Sequence, residues 1–166
     1  MNEINKEENG KKLVANGWKT LLPISEYFEN TEDNVAWESL LGSAKTPTFP
    51  YENLAKDYDA KKGVIRTTPF GNSLTLKMAE ASINGYGMGE DQITDFLTIN
   101  IASTDYVGHA FGPNSIEIED TYLRLDRDLE AFFQQLDKKV GKGNYLVFLS
   151  ADHGAAHSEG YMQANK

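Results

Sequence analysis

Two short apolar runs separated by one long amphipathic stretch constrain this chain more than anything else in it. Phe96-Leu97-Thr98-Ile99-Asn100-Ile101 and Tyr145-Leu146-Val147-Phe148-Leu149-Ser150 have the length and texture of strands buried on both faces. Between them Ile118, Tyr122, Leu125, Leu129, Phe132, Phe133, Leu136 and Val140 recur at threes and fours, the stripe of a helix that buries one side. Pro113-Asn114-Ser115 opens that helix, Glu117, Glu119 and Asp120 fill its first turns, Lys138 and Lys139 its last, and Gly141 stands where a C-terminal cap belongs. Strand, long helix, strand is a crossover unit, whose strands run parallel with a right-handed connection. The pattern predicts strands at 95–102 and 145–151 and a helix over 114–140 packed across their face. The expected fold class is α/β: part of a parallel sheet with flanking helices.

Upstream, the order is lower. Residues 1–70 are punctuated by Pro23, Pro47, Pro50 and Pro69 and by turn-prone pairs such as Asn16-Gly17 and Lys62-Gly63. Leu21-Leu22 and Val64-Ile65 read as short strands and Glu38 to Leu41 as a helical turn. This half is expected to be a loop-rich, insertion-like layer that packs on residues 71–166, the section carrying the α/β core. A helix starts at Asn72 or Ser73, buries Leu74, Met78 and Ala81, and stops at Asn84-Gly85. Gly85-Tyr86-Gly87-Met88-Gly89 imitates a nucleotide-binding glycine loop, but it follows a helix instead of a strand, so it reads as a cap and a turn.

Composition narrows the function classes. At 166 residues the chain is one domain's worth, long enough to bury roughly 68–70% of its unfolded surface. Sixteen basic against 25 acidic residues give a net charge of −9, which argues against a nucleic-acid binder. No run of 18 apolar residues spans a membrane, and the polar start MNEINKEENGKKL is not a secretory signal. Zero cysteines exclude disulfides, thiolate metal sites and cysteine nucleophiles. The three histidines, His109, His153 and His157, all lie from residue 109 onward.

Ligands of parallel sheets bind beyond the carboxyl ends of the strands, and both strand exits carry metal-type residues. Asp105 and His109 lie four apart in the loop after the first, and Asp152-His153-Gly154 follows the second. If the strands are neighbours the two pairs converge, and four N/O donors suit zinc at about 2.0–2.2 Å. His157 reads as surface.

Ser103-Thr104-Asp105-Tyr106-Val107-Gly108-His109 with Phe111-Gly112-Pro113, followed by Ala151-Asp152-His153-Gly154, resembles the alkaline phosphatase superfamily. The nearer likeness is to its bacterial threonine-nucleophile phosphate monoesterases, grouped with type I phosphodiesterases and nucleotide pyrophosphatases. Trp18 to Tyr27 (WKTLLPISEY) and Thr68 to Asn72 (TPFGN) look like further stretches of that branch. The resemblance implies that Asp105 and His109 are ligands of one zinc ion and Asp152 and His153 of a second. It also implies a phosphate ester substrate and a periplasmic or extracellular location.

Departures from the family pattern limit that expectation. The family has a further zinc-binding histidine downstream of Asp-His-Gly. It also has an upstream metal-binding aspartate, a threonine nucleophile and phosphate-binding asparagine, lysine and arginine. None has a counterpart here. Lys45-Thr46-Pro47-Thr48-Phe49-Pro50 imitates the threonine loop, yet no strand precedes it and no helix N-terminus underlies it to hold a phosphate. The chain therefore reads as an internal section of a zinc-dependent phosphomonoesterase or phosphodiesterase. No catalytic nucleophile is expected in it, and it should be inactive alone, bind zinc weakly and self-associate through uncovered sheet edges. The alternatives are a non-catalytic α/β binding module, or a relative of the sulfatases or the cofactor-independent phosphoglycerate mutases.

Overall fold

The computed structural model describes residues 8–28, 30 and 32–166; the start of the polar stretch read as a non-signal, residues 1–7, lies outside the described residues. Among the described residues six α-helices are joined by two 3-10 turns and one π turn: α1 (Asn9–Val14), α2 (Leu54–Ala60), α3 (Pro69–Tyr86), α4 (Ser103–Phe111), α5 (Ile116–Leu136) and α6 (Glu159–Ala164). Among the described residues there is no strand and no sheet; the one β-type contact is an antiparallel bridge between Trp18 and Tyr51.

That overturns the α/β expectation. Residues 95–101 and 145–150 carry no regular structure and make no ladder with each other. The physical reason is that an apolar run records a preference for burial, whereas a strand also needs a neighbour for its N–H and C=O groups. The chain supplies the crossover helix, but the two runs do not pair with one another. Instead of being buried on both faces, Phe96 is 88% exposed and Phe148 84% exposed. Further expectations fall with it: Leu21-Leu22 is a bend, Glu38 to Leu41 forms no helical turn, Val64-Ile65 belongs to the 3-10 turn Lys62–Thr67, and the Asp105/His109 stretch is a helix, not a loop.

The helices themselves follow local chemistry. Ser115 caps α5, its Oγ accepting from the Ile118 N–H at 3.2 Å, so the helix starts one residue past the serine and runs into a π turn at Asp137–Gly141. Its stripe holds at Ile118 and Phe132, which are buried, but Tyr122 points to solvent. Pro69 occupies the first turn of α3, where its missing N–H costs nothing. This helix runs on to Tyr86 and stops at Gly87, whose positive φ of 63° takes the left-handed cap two residues beyond the expected stop. It buries Leu76, Ala79 and Ile83, while the expected stripe of Leu74, Met78 and Ala81 is only half-buried.

Two apolar clusters hold the molecule. Val14, Trp18, Leu41, Tyr51, Leu54, Ile65, Val107, Phe111 and Ile118 form the larger, drawing on both halves of the sequence; Leu76, Ala79, Ile83 and Phe132 form the smaller, between α3 and α5. The larger is pinned by a polar hub. Asp120, fully buried on α5, accepts from Trp18 Nε1 at 2.7 Å, Tyr27 Oη at 2.6 Å, the Leu21 N–H at 2.6 Å and Arg124 Nε at 2.7 Å. Three of those four partners lie in the stretch Trp18 to Tyr27.

Candidate metal centre

Helix α4 builds the first half of the site. Ser103, Val107 and Phe111 lie one turn apart on one face and are buried. Phe111 packs 6.2 Å from the ring of Trp18, which fixes the helix from below. The opposite face then presents Asp105 and His109 to solvent, also one turn apart. Asp105 Oδ1 stands 3.5 Å from His109 Nε2.

The second half comes from the segment after Ser150, which has no regular structure. His153 Nε2 approaches Asp105 Oδ1 to 3.6 Å and the Asp152 carboxylate to 3.9 Å. Asp105 thus faces two imidazoles, one from each sequence motif. Asp152 is the outlying member, its side chain 93% exposed and in touch with the group through His153. The other ring nitrogen of His153, Nδ1, lies 2.8 Å from the Gly154 carbonyl oxygen. A carbonyl only accepts, so Nδ1 carries the hydrogen, and Nε2 is the nitrogen directed at the carboxylates. That hydrogen bond, then Asp152 and then Asp105, hold the imidazole above its ordinary value.

The donor chemistry fits a divalent cation. Nitrogen and carboxylate oxygen converge, and the far nitrogen of one imidazole is tied to a backbone carbonyl, the usual companion of a ligating histidine. The set is open, however: among the described residues no three His, Asp or Glu side chains are gathered tightly enough to hold an ion as they stand. His157, the third histidine, bonds Asn114 Oδ1 at 2.7 Å and stacks on Tyr161 at 4.9 Å, away from this chemistry. Thr46 and Thr48 pair with each other at 2.7 Å on an exposed loop. Among the described residues no helix is long and apolar enough to cross a membrane.

Sequence reasoning passed over a second group of carboxylates. Glu38 and Glu117 are buried, and Oε2 of each has no hydrogen-bond partner among the described residues. Burial, with Glu117 and Asp33 nearby, pushes the Glu38 carboxyl up to about 9. Burial pushes Glu117 up to about 7 against the pull of the Tyr51 hydroxyl, which donates to Oε1 at 2.5 Å. No motif announced this pair, because only the fold brings positions 33, 38, 51 and 117 together.

A helix and a bare loop thus meet in carboxylate and imidazole, and comparison with known proteins gives the family. Residues 3–166 match the type I phosphodiesterase / nucleotide pyrophosphatase family, and the chain belongs to that family. It is 74% identical over all 166 residues to alkaline phosphatase PafA of Elizabethkingia meningoseptica and 49% identical over 164 residues to alkaline phosphatase PhoV of Synechococcus elongatus. In each case it spans 30% of the relative's length. The crystal structure of wild-type alkaline phosphatase PafA superimposes with a TM-score of 0.98 at 74% identity, covering 99% of this chain and 32% of that one.

Proposed function

We propose that this chain is the metal-holding section of a phosphoester hydrolase that uses two zinc ions. The observation that carries the reading is the carboxylate of Asp105 lying within 3.6 Å of imidazoles from both motifs. In this reading Asp105 and His109 hold one ion and Asp152 and His153 the other. The ions, when bound, supply positive charge for the oxygens of a phosphate ester. The chain's own part is to fix the donors: α4 sets the spacing of Asp105 and His109, and the Gly154 carbonyl orients His153.

The chain alone is expected to lack catalytic activity. The hydroxyls of Thr46 and Thr48 are paired with each other at 2.7 Å, and positioning of substrate is most of what phosphoryl transfer demands. The substrate class is a phosphate ester and the setting periplasmic or extracellular, both on the strength of the family likeness.

Calorimetric titration with zinc chloride tests the metal assignment, run beside hydrolysis of an aryl phosphate monoester and diester. Wild-type chain is expected to take up zinc weakly, with release of protons from the imidazoles, and to show no turnover. Asp105→Ala and His153→Ala should abolish the uptake. Zinc binding that survives both changes would overturn the site. Turnover that disappears in Asp152→Ala and His153→Ala would show a self-sufficient enzyme.

A further inference from the structure

The stretch Thr68-Pro69-Phe70-Gly71-Asn72 has no part in the reading above, yet its members converge on one place. Asn72 sits in the first turn of α3, only 1% exposed, and both ends of its amide are used. Its Oδ1 accepts the Ser103 N–H at 3.1 Å, and its Nδ2 donates to Thr104 Oγ1 at 3.0 Å. Ser103 N–H belongs to the first turn of α4, where four amides have no partner inside the helix. The residue that should cap that turn is Ala102, which has no side chain able to do so. Asn72 supplies the cap from another helix.

Gly71 makes the approach possible: a Cβ there would stand 2.0 Å from Ser103 Oγ and 2.9 Å from the Ile65 carbonyl. Buried Thr68 closes the corner by donating to Ile65 O at 2.7 Å. The chain entering α3 is thereby folded tightly enough to bring Asn72 onto α4. Asp105 is the residue immediately after Thr104.

We propose that Asn72 is a positioning residue for the metal centre, locking the first turn of α4 so that Asp105 faces His153. It touches neither substrate nor metal and acts through Ser103 and Thr104. The inference rests on the assignment of Asp105 as a metal ligand.

The test combines amide hydrogen exchange with zinc titration in the intact chain. Asn72→Ala should accelerate exchange at Ser103 and Thr104 by at least about tenfold, the consequence of leaving a buried donor unmet. Zinc affinity should fall by about tenfold, the low end for groups that orient ligands. Thr104→Val, which spares the Ser103 bond, should give a smaller loss and covers the case in which Asn72→Ala does not fold. Thr104→Ser keeps the hydroxyl and should match wild type. Unchanged exchange at Ser103 would overturn the proposal, as would accelerated exchange with unchanged zinc affinity. Uniform acceleration through α4 and α5 would reduce Asn72 to a general stability residue and overturn it as well. If wild-type chain takes up no zinc, the metal assignment fails on that arm alone, and exchange with the Thr104→Ser rescue still decides whether Asn72 fixes the helix.

Discussion

The two ends of α5 meet opposite environments. At its start Glu117, Asp120 and Thr121 are polar and fully buried. Beyond its end Leu146, Phe148 and Leu149 are apolar and more than three-quarters exposed. Residue hydropathy alone would place them the other way round. What separates the two regions is the supply of partners. The fold delivers four donors to Asp120, so the cost of burying a carboxylate is met by hydrogen bonds. Among the described residues it delivers no neighbouring strand to residues 145–150, so beyond Tyr145, whose hydroxyl donates to Asp137 at 2.8 Å, their apolar side chains stay open.

The sharpest way to break that contrast is to empty the hub. Asp120→Ala strands Trp18 Nε1 and Tyr27 Oη, leaves the Leu21 N–H with only its longer bond to Tyr27 Oη at 3.1 Å, and leaves Arg124, which also donates to the Lys19 carbonyl, without its carboxylate. Removing one member of a buried charge network costs about 3–5 kcal/mol. Urea unfolding should show a loss of that size with the 18–27 stretch detached. A change below about 1 kcal/mol would mean that the hub is ornament and the apolar cluster alone holds the N-terminal half.

How much of this was legible beforehand divides along the same line. The long helix could be read because its information is local: a serine cap, a 3.6-residue stripe and a glycine stop lie within one stretch. Asp105, His109, Asp152 and His153 could be singled out because each pair is adjacent in sequence or one helical turn apart. The lack of a sheet among the described residues could not, since strand character needs a partner and an apolar run does not say whether one is supplied. Nor could Asp120, which reads as one of several helix-dipole acids until Trp18 and Tyr27 are folded onto it. Likewise TPFGN was visible as a likeness, but its use, a cap lent by Asn72 to a distant helix, exists only in three dimensions.

A subtler probe uses pH on the pair that the hub does not serve. Glu38 has a folded value near 9 and Glu117 one near 7, both raised from an ordinary 4.5. Asp33, Glu117 and the Tyr51 hydroxyl are the titratable groups facing Glu38. Because the folded state holds these protons more tightly than the unfolded chain, the stability they contribute is intact below about pH 4.5. It is lost as pH rises towards 7 for Glu117 and towards 9 for Glu38. Glu38→Gln should remove the upper part of that loss, making the variant more stable than wild type at pH 9 by something on the order of 2 kcal/mol. Parallel stability curves for the two proteins between pH 6 and 9 would show that Glu38 titrates as an ordinary surface acid.

The smallest effect on folding belongs to the exposed runs, and there the contrast is most exposed to refutation. Phe148→Lys with Leu149→Lys replaces two side chains that contribute little burial, so unfolding free energy should move by no more than about 0.5 kcal/mol. Their effect should appear between molecules instead. Open apolar segments with unpaired backbone groups recruit other chains, so wild type should sediment as a concentration-dependent mixture. The double variant should move towards monomer. Lysine is chosen because it works against the trivial explanation: two added positive charges take the net charge from −9 to −7, which weakens mutual repulsion and by itself would favour association. A shift towards monomer despite that change isolates the apolar surface as the cause. A wild-type protein that stays monomeric across a hundredfold range of concentration, or a double variant that loses several kcal/mol of stability, would show that residues 145–150 are already satisfied within the chain.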